Sequence, residues 1–327
     1  MAISNRRRGS RGGALLAVLW LSAALSAIAF SLANTVRGET ERTSTAVEGL
    51  RTQYLAQGGV ERGILRVKWA LEGGMAPNIP GRYSPANPIL PFSFPSGEAL
   101  VEVIPETAKI NINLCQPVML LRLFLALGVD PARAGEIVLA VVDWRSPAGL
   151  TPFDAFYSSL TPSFRARHAS FEEIEELLLV RGITRDLFYG GYDRDAQGRL
   201  IPRAGLKDCV SVFGSTDAFD VNTAQPAVLI ATGIPPEVAA AIVARRRMQP
   251  FQNVQEVGAF APGGAEISHL RTGGNSIFTM RSTARLTLPN GKLSDLRRTC
   301  AATVKYMPPD YENRIQILRW YENAWTP

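Results

Sequence analysis

Histidine and cysteine are the scarce residues of this 327-residue chain: two histidines, His168 and His269, and three cysteines, Cys115, Cys209 and Cys300. A structural zinc site takes four Cys, His or acidic ligands in close spacing. With no C-x-x-C and its two histidines far apart, the sequence offers no such set. Three cysteines leave at least one outside any disulfide, in a compartment where disulfides are permitted. Cys115 and Cys209 sit among apolar residues and read as core or disulfide positions, not as reactive thiols. Also missing are G-x-S-x-G, a phosphate-binding loop, and a histidine close to a plausible nucleophile, so the sequence reads as that of a non-enzyme. Charge of one sign is not in large excess: 35 Lys and Arg face 29 Asp and Glu, a net of +6. Several of those cations lie in the first eleven residues, which leaves no strong case for nucleic acid as a partner.

One stretch has no charge at all. From Gly12 to Val36 there is no Asp, Glu, Lys or Arg, and Arg6, Arg7, Arg8 and Arg11 stand just before it. About 20 apolar residues in helical conformation cross a bilayer. Ala14, Leu15, Leu16, Val18, Leu19, Trp20, Leu21, Leu25, Ile28 and Phe30 supply that anchor. Ser22, Ser26 and Ser31 are tolerated, because a helical hydroxyl bonds back to a carbonyl one turn earlier. The arginines place the N-terminus in the cytoplasm and the rest of the chain outside. A cleavable secretory signal shares this basic-then-apolar order and would be cut near Ala27-Ile28-Ala29. The junction Arg11-Gly12-Gly13-Ala14 instead suits a cut before the apolar run, between Gly12 and Gly13, which keeps the anchor in the mature chain.

Helix formers continue without proline to about Leu71, and apolar residues thicken at Val60, Ile64, Val67 and Trp69. This predicts one long helix, weakened and bent at Gly58-Gly59 and Gly63 and ended by Gly73-Gly74. Pro77 to Pro95 reads as loop and Leu100 to Ile104 as strand. Then comes an internal repeat. Asn113 to Leu120 matches Asn222 to Leu229, Gly128 to Val138 matches Gly233 to Val243, and Phe171 to Leu177 matches Phe251 to Val257. In each copy Asn is read as a helix N-cap, glycine as the close of the first helix, and proline as the start of the second. The first copy carries an extra segment between Trp144 and Ser170, and Arg145 to Tyr157 reads as loop. Lys207 to Phe213, Asn275 to Leu288, Asp295 to Met307 and Arg314 to Trp320 read as strands, with a hairpin turn at Pro289-Asn290-Gly291-Lys292.

The repeated module resembles the helix-hairpin-helix, which binds phosphate backbones through hairpin N–H groups. Pro235 has no N–H to donate, and Asp130 would face the phosphate with a negative charge. The Arg245-Arg246-Arg247 run reads as a solvated helix face. The hairpins are therefore read as structural and nucleic acid as an unlikely partner. The alternative reading is a membrane-tethered helix-hairpin-helix DNA-binding protein of a competence or uptake system.

The start of the chain resembles the leader of type IV pilins and pseudopilins, cut after glycine by prepilin peptidase. Ala17 stands where most pilins have glutamate, a departure typical of the K-type minor pseudopilin of type II secretion. Lys109-Ile-Asn-Ile-Asn113, Asp143-Trp144, Ile174-Glu-Glu-Leu177 to Gly182-Ile183-Thr184, and Val221-Asn222-Thr223-Ala224-Gln225-Pro226 resemble that family in the same order. The resemblance implies an α+β fold: a pilin-like long N-terminal helix and antiparallel sheet with a large inserted all-helical domain. It divides the chain into a leader at 1–12, a transmembrane and stalk helix at 13–72, a β domain at 73–108 and 273–327, and a helical domain at 109–272 with modules at about 109–188 and 218–262. It implies a single-pass inner-membrane protein with periplasmic domains that caps the pseudopilus tip. The implied partners are the I- and J-type minor pseudopilins, the major pseudopilin, prepilin peptidase and the inner membrane. No cofactor is required. Some members bind calcium, but here Arg145-Ser146-Pro147 replaces the acidic residues that follow Asp-Trp. Asp193-Arg-Asp195-Ala-Gln197-Gly198 resembles the opening of a calcium loop, with Asp193 and Asp195 as ligands; Ala204 stands where the closing Glu would be, which also fits a plain surface turn.

Overall fold

A computed structural model describes residues 11–73, 82–147, 151–194, 197–259 and 266–324. Helix α1 (Arg11–Leu71) runs unbroken for 61 residues, about 90 Å at 1.5 Å per residue. Its C-terminal half lies on a five-stranded antiparallel sheet of β1 (Ile89–Phe94), β2 (Gly97–Pro105), β3 (Ile277–Leu286), β4 (Arg298–Tyr306) and β5 (Ile315–Tyr321), in that spatial order. Ala56, Val60, Ile64 and Val67 recur at helical spacing and are buried against Val101, Met280, Ala302 and their neighbours. Strand β3 alternates half-buried and buried residues along its whole length, the period-2 pattern of a sheet with one covered face. The tyrosine hydroxyl of Tyr306 donates to the Ile64 carbonyl at 2.8 Å, pinning sheet to helix.

Gly59 and Gly63 do not interrupt α1; they let it approach the sheet. A Cβ at Gly63 would lie 2.9 Å from Val101 Cγ1, and one at Gly59 2.9 Å from Ala99 Cβ and closer still to Ser282 Oγ. The helix ends at Leu71, and Gly73 adopts the left-handed conformation, φ +71°. The segment read as loop from Pro77 to Pro95 contains β1, because Ile89, Leu90 and Phe92 pair across Glu102, Val101 and Ala99; within that segment, residues 77–81 lie outside the described residues. The turn before β4 forms as its sequence signals, with Leu288 N–H donating to Lys292 O at 2.8 Å and Gly291 at φ +76°.

Between β2 and β3 the chain leaves the sheet and builds a second core. Its longer helices are α2 (Pro117–Ala126), α3 (Pro131–Arg145), α4 (Pro152–Ser159), α5 (Pro226–Ala231) and α6 (Pro236–Met248). Leu120, Leu123, Phe124, Ile137, Leu229 and Ile242 are fully buried in it, and α2 of the first copy packs on α5 of the second. Helix α4 lies in the stretch read as loop. Thr151 and Asp154 form its capping box, with Thr151 N–H donating to Asp154 Oδ2 at 2.8 Å. Lys207 to Phe213 is not a strand: a helical turn, Leu206–Cys209, is followed by a two-residue strand, Val210–Ser211. Both copies open on such a pair of residues. Ile110–Asn111 lies parallel to Val210–Ser211, and Phe219–Asp220 parallel to Leu270–Arg271.

Candidate membrane anchor and interaction surfaces

Residues 13–37 of α1 are all exposed. Leu15 is 72% exposed, Trp20 70% and Phe30 70%, and Ala14, Leu16, Val18, Leu19, Leu21, Leu25 and Ile28 are exposed too. Among the described residues this is the one helix long and apolar enough to cross a membrane, and none of its apolar window is buried. Such a surface is stable only when covered by lipid or by other helices. Ser22 Oγ donates to Leu19 O at 2.9 Å, so that hydroxyl is satisfied within the helix. Gly12 and Gly13 both lie inside α1; Gly13 is exposed with no atom near its Cβ position, and the environment of Gly12 lies outside what is described. Past Val36 the helix turns polar, with exposed pairs Arg37–Glu41 and Glu39–Arg42 that add little stability in water.

The two cores are joined by a polar seam. Asn275 Nδ2 donates to Asp220 Oδ2 at 2.8 Å, Thr107 Oγ1 bonds Asn275 Oδ1 at 2.9 Å, and Arg319 and Tyr321 of β5 reach Glu173. Beside it opens a cleft of about 620 Å³, walled by Glu102, Arg281, Lys207 and Tyr189 among others. Its charges are largely paired: Arg281 with Glu102, and Lys109 with Glu106 at 3.2 Å. The three thiols are free and buried. Burial pushes the Cys300 thiol up to about 11 and raises Cys115 and Cys209 also, so all three are protonated at neutral pH and poor nucleophiles.

The hairpins are closed against anions. Asp130 Oδ1 accepts from Ala132 N at 3.0 Å and Arg133 N at 3.3 Å, so the N-terminus of α3 already holds its own carboxylate. Pro235 takes the matching place before α6. The Arg245–Arg247 run is not uniformly solvated: Arg246 Nη1 donates to Val221 O at 2.8 Å and Ala224 O at 2.7 Å. Asn113 and Asn222 are not N-caps either. Gln116 and Gln225 hold those positions without side-chain bonds. Each Asn instead makes a two-way bond to a distant backbone. Asn113 does so with Phe171 N at 2.7 Å and O at 2.9 Å, and Asn222 with Phe251 N at 2.8 Å and O at 3.0 Å.

Of the two calcium candidates, Asp193 sits on the exposed ribbon Gly191–Arg194 and pairs with Arg203 at 3.7 Å; Asp195 lies outside the described residues. Among the described residues no group of three His, Cys, Asp or Glu could hold a metal.

Three comparisons bear on this geometry. Residues 102–189 match the family model described as type II secretion system (T2SS), protein K. No curated protein matches the chain. A chain in the crystal structure of the GspK–GspI–GspJ complex from the enterotoxigenic Escherichia coli type 2 secretion system has a similar fold. The TM-score is 0.61 at 17% identity, over 87% of this chain and 100% of that one.

Proposed function

We infer that this chain, a member of the type II secretion system protein K family by its match over residues 102–189, works as a minor pseudopilin that caps the tip of a periplasmic pseudopilus. The observation that carries the reading is the division of α1. One half is bare and apolar, and the other half is the spine of a sheet interrupted by a bulky helical domain. The bare half suits a membrane before assembly and a bundle of like helices after it. The mature chain begins at Gly13, is anchored by Ala14 to Phe30 in the inner membrane, and projects its two cores into the periplasm, the side opposite the basic leader.

The tip position follows from bulk. The inserted helical domain occupies the space above the sheet that a further subunit would need. Ala17, where most pilins carry glutamate, suits a subunit with no N-terminus above it to pair with. The partners are I- and J-type minor pseudopilins, in keeping with the complex in which the similar fold occurs; the major pseudopilin follows below. Its role is mechanical, with no catalytic step. Nothing in the hairpins favours the DNA-binding alternative, because Asp130 and Pro235 leave neither helix N-terminus free for phosphate.

The test is the intact mass of the chain expressed with and without prepilin peptidase. The mass falls by Met1 to Gly12 only when peptidase is present, and the processed chain pulls down I- and J-type partners. Cleavage near Ala29, or processing followed by failure to capture either partner, overturns the reading.

A further inference from the structure

The segment that only the first copy carries is fastened by one imidazole. His168 is the one described non-glycine residue in the left-handed region, at φ +48°, and its ring is mostly buried. Nδ1 lies 3.2 Å from the carbonyl oxygen of Asp143, near the end of α3. Nε2 lies 3.0 and 3.2 Å from the two carboxylate oxygens of Asp154, in the first turn of α4. Both neighbours are acceptors. A neutral imidazole carries one N–H and satisfies one of them; an imidazolium donates to both. We propose that His168 is a pH-dependent latch, which in its doubly protonated form ties α4 to the end of α3.

The surrounding charges agree. Asp154 faces the ring from α4 and Asp143 from α3, and Asp143 Oδ2 is buried without a hydrogen-bond partner. On the ring's own segment, Arg167 is engaged by Glu172 and Glu176. The hydrogen bond that His168 donates to Asp154 raises its pKa above the ordinary value, and the one to the Asp143 carbonyl adds to this. Asp154 is held below the usual carboxylate range, first by the Thr151 N–H and then by His168. A pKa raised on folding gives stability that is complete below the unfolded value and lost as pH rises through the folded one. The latch is therefore fully fastened below the pKa of free imidazole and loosens as pH rises through the raised value of His168. Tyr157, in the second turn of α4, is fully buried among Trp144, Phe156 and Phe164, so loosening is confined to the first turn of α4 and the segment around His168.

The test is a titration of the full chain in detergent micelles, with carbon-13 histidine and His269→Gln to assign the two signals. His168 is expected to titrate above free imidazole. Asp154→Asn lowers that midpoint by about one unit, the size of one lost opposite charge. Amide exchange at 153–156 and 166–169, relative to the rest of the helical domain, quickens above the midpoint in the wild type. It shows no such step in His168→Asn, a residue that tolerates positive φ. A wild-type midpoint at or below that of free imidazole, or the same exchange step in His168→Asn, overturns the latch.

Discussion

The two copies in the helical domain share one bonding frame built from the same residue types. Asn113 and Asn222 each clamp a phenylalanine backbone. Glu176 and Glu256 each accept two backbone N–H groups where the last turn begins. Arg145 and Arg246 each donate to two carbonyls at the start of the copy, Ile112 and Cys115 in one, Val221 and Ala224 in the other. The copies differ where each meets the rest of the molecule. Asn111 in the first is answered by Asp220 in the second, and their partners explain the exchange. Asn111 Nδ2 donates to Val212 O and Gly214 O, both at 3.2 Å, while its Oδ1 accepts from Asn113 N and Leu114 N. Asp220 meets only donors on its far side, Gly273 N at 3.0 Å and Asn275 Nδ2 at 2.8 Å. A repeated backbone thus keeps its internal bonds and chooses amide or carboxylate by what lies across the interface.

Exchanging the two residues breaks this comparison most severely. Asn111→Asp points a buried carboxylate at two carbonyls, and an unpaired buried charge costs about 3–5 kcal/mol. Because that acid would be easier to bury protonated, the loss is larger at pH 8 than at pH 5. Asp220→Asn sets an amide against donors whichever way it is flipped, at about 2–3 kcal/mol. Urea unfolding followed by circular dichroism reads both. Equal, small losses at the two sites would mean that the partners do not dictate the exchange.

The arginines come next. Burial pulls the Arg246 guanidinium down to about 10, still charged at neutral pH. Arg246→Met and Arg145→Met each leave two carbonyls without their charged donor, about 2–3 kcal/mol on the same measurement. The effects match if the two are equivalent. A loss at only one would show that the copies have diverged in what holds them.

How far the sequence reveals all this depends on spacing. The anchor is legible because it needs only composition, and α1, the hairpin glycines Gly128 and Gly233, and the prolines that open α3 and α6 are legible because local geometry demands them. The arginine pair is not, since a fixed-offset repeat misaligns it. Helix α2 has 10 residues and α5 has 6, so the first hairpin lies about one turn farther out and Arg145 sits one turn later on α3 to reach the same carbonyls. The Asn111–Asp220 pair lies two residues before the repeat's first shared asparagine, in Ile110-Asn111-Ile112-Asn113 against Phe219-Asp220-Val221-Asn222, where the residue types differ and the repeat is faint. The His168–Asp154 contact joins residues 14 apart across a turn, and β1 is hidden by the proline and serine around it; neither leaves a periodic signal.

The glutamates give the smallest effect and the finest test of equivalence. Glu176 Oε1 accepts from Glu172 N at 2.7 Å and Glu173 N at 3.1 Å, and Glu256 Oε1 from Gln252 N at 3.2 Å and Asn253 N at 3.3 Å. Replacing either by Gln keeps an oxygen acceptor and removes the charge, so each change costs about 0.5–1 kcal/mol, as for a weakened cap. Glu176 carries a second duty, an ion pair with Arg167 at 3.2 Å, whereas Glu256 meets Arg245 only at 3.9 Å. Glu176→Gln should therefore lose slightly more than Glu256→Gln at low salt, and the gap should close in 1 M salt, where the Debye length shrinks to about 3 Å. A gap that survives high salt would assign the difference to the backbone bonds instead of the ion pair, and the two caps would no longer count as the same device.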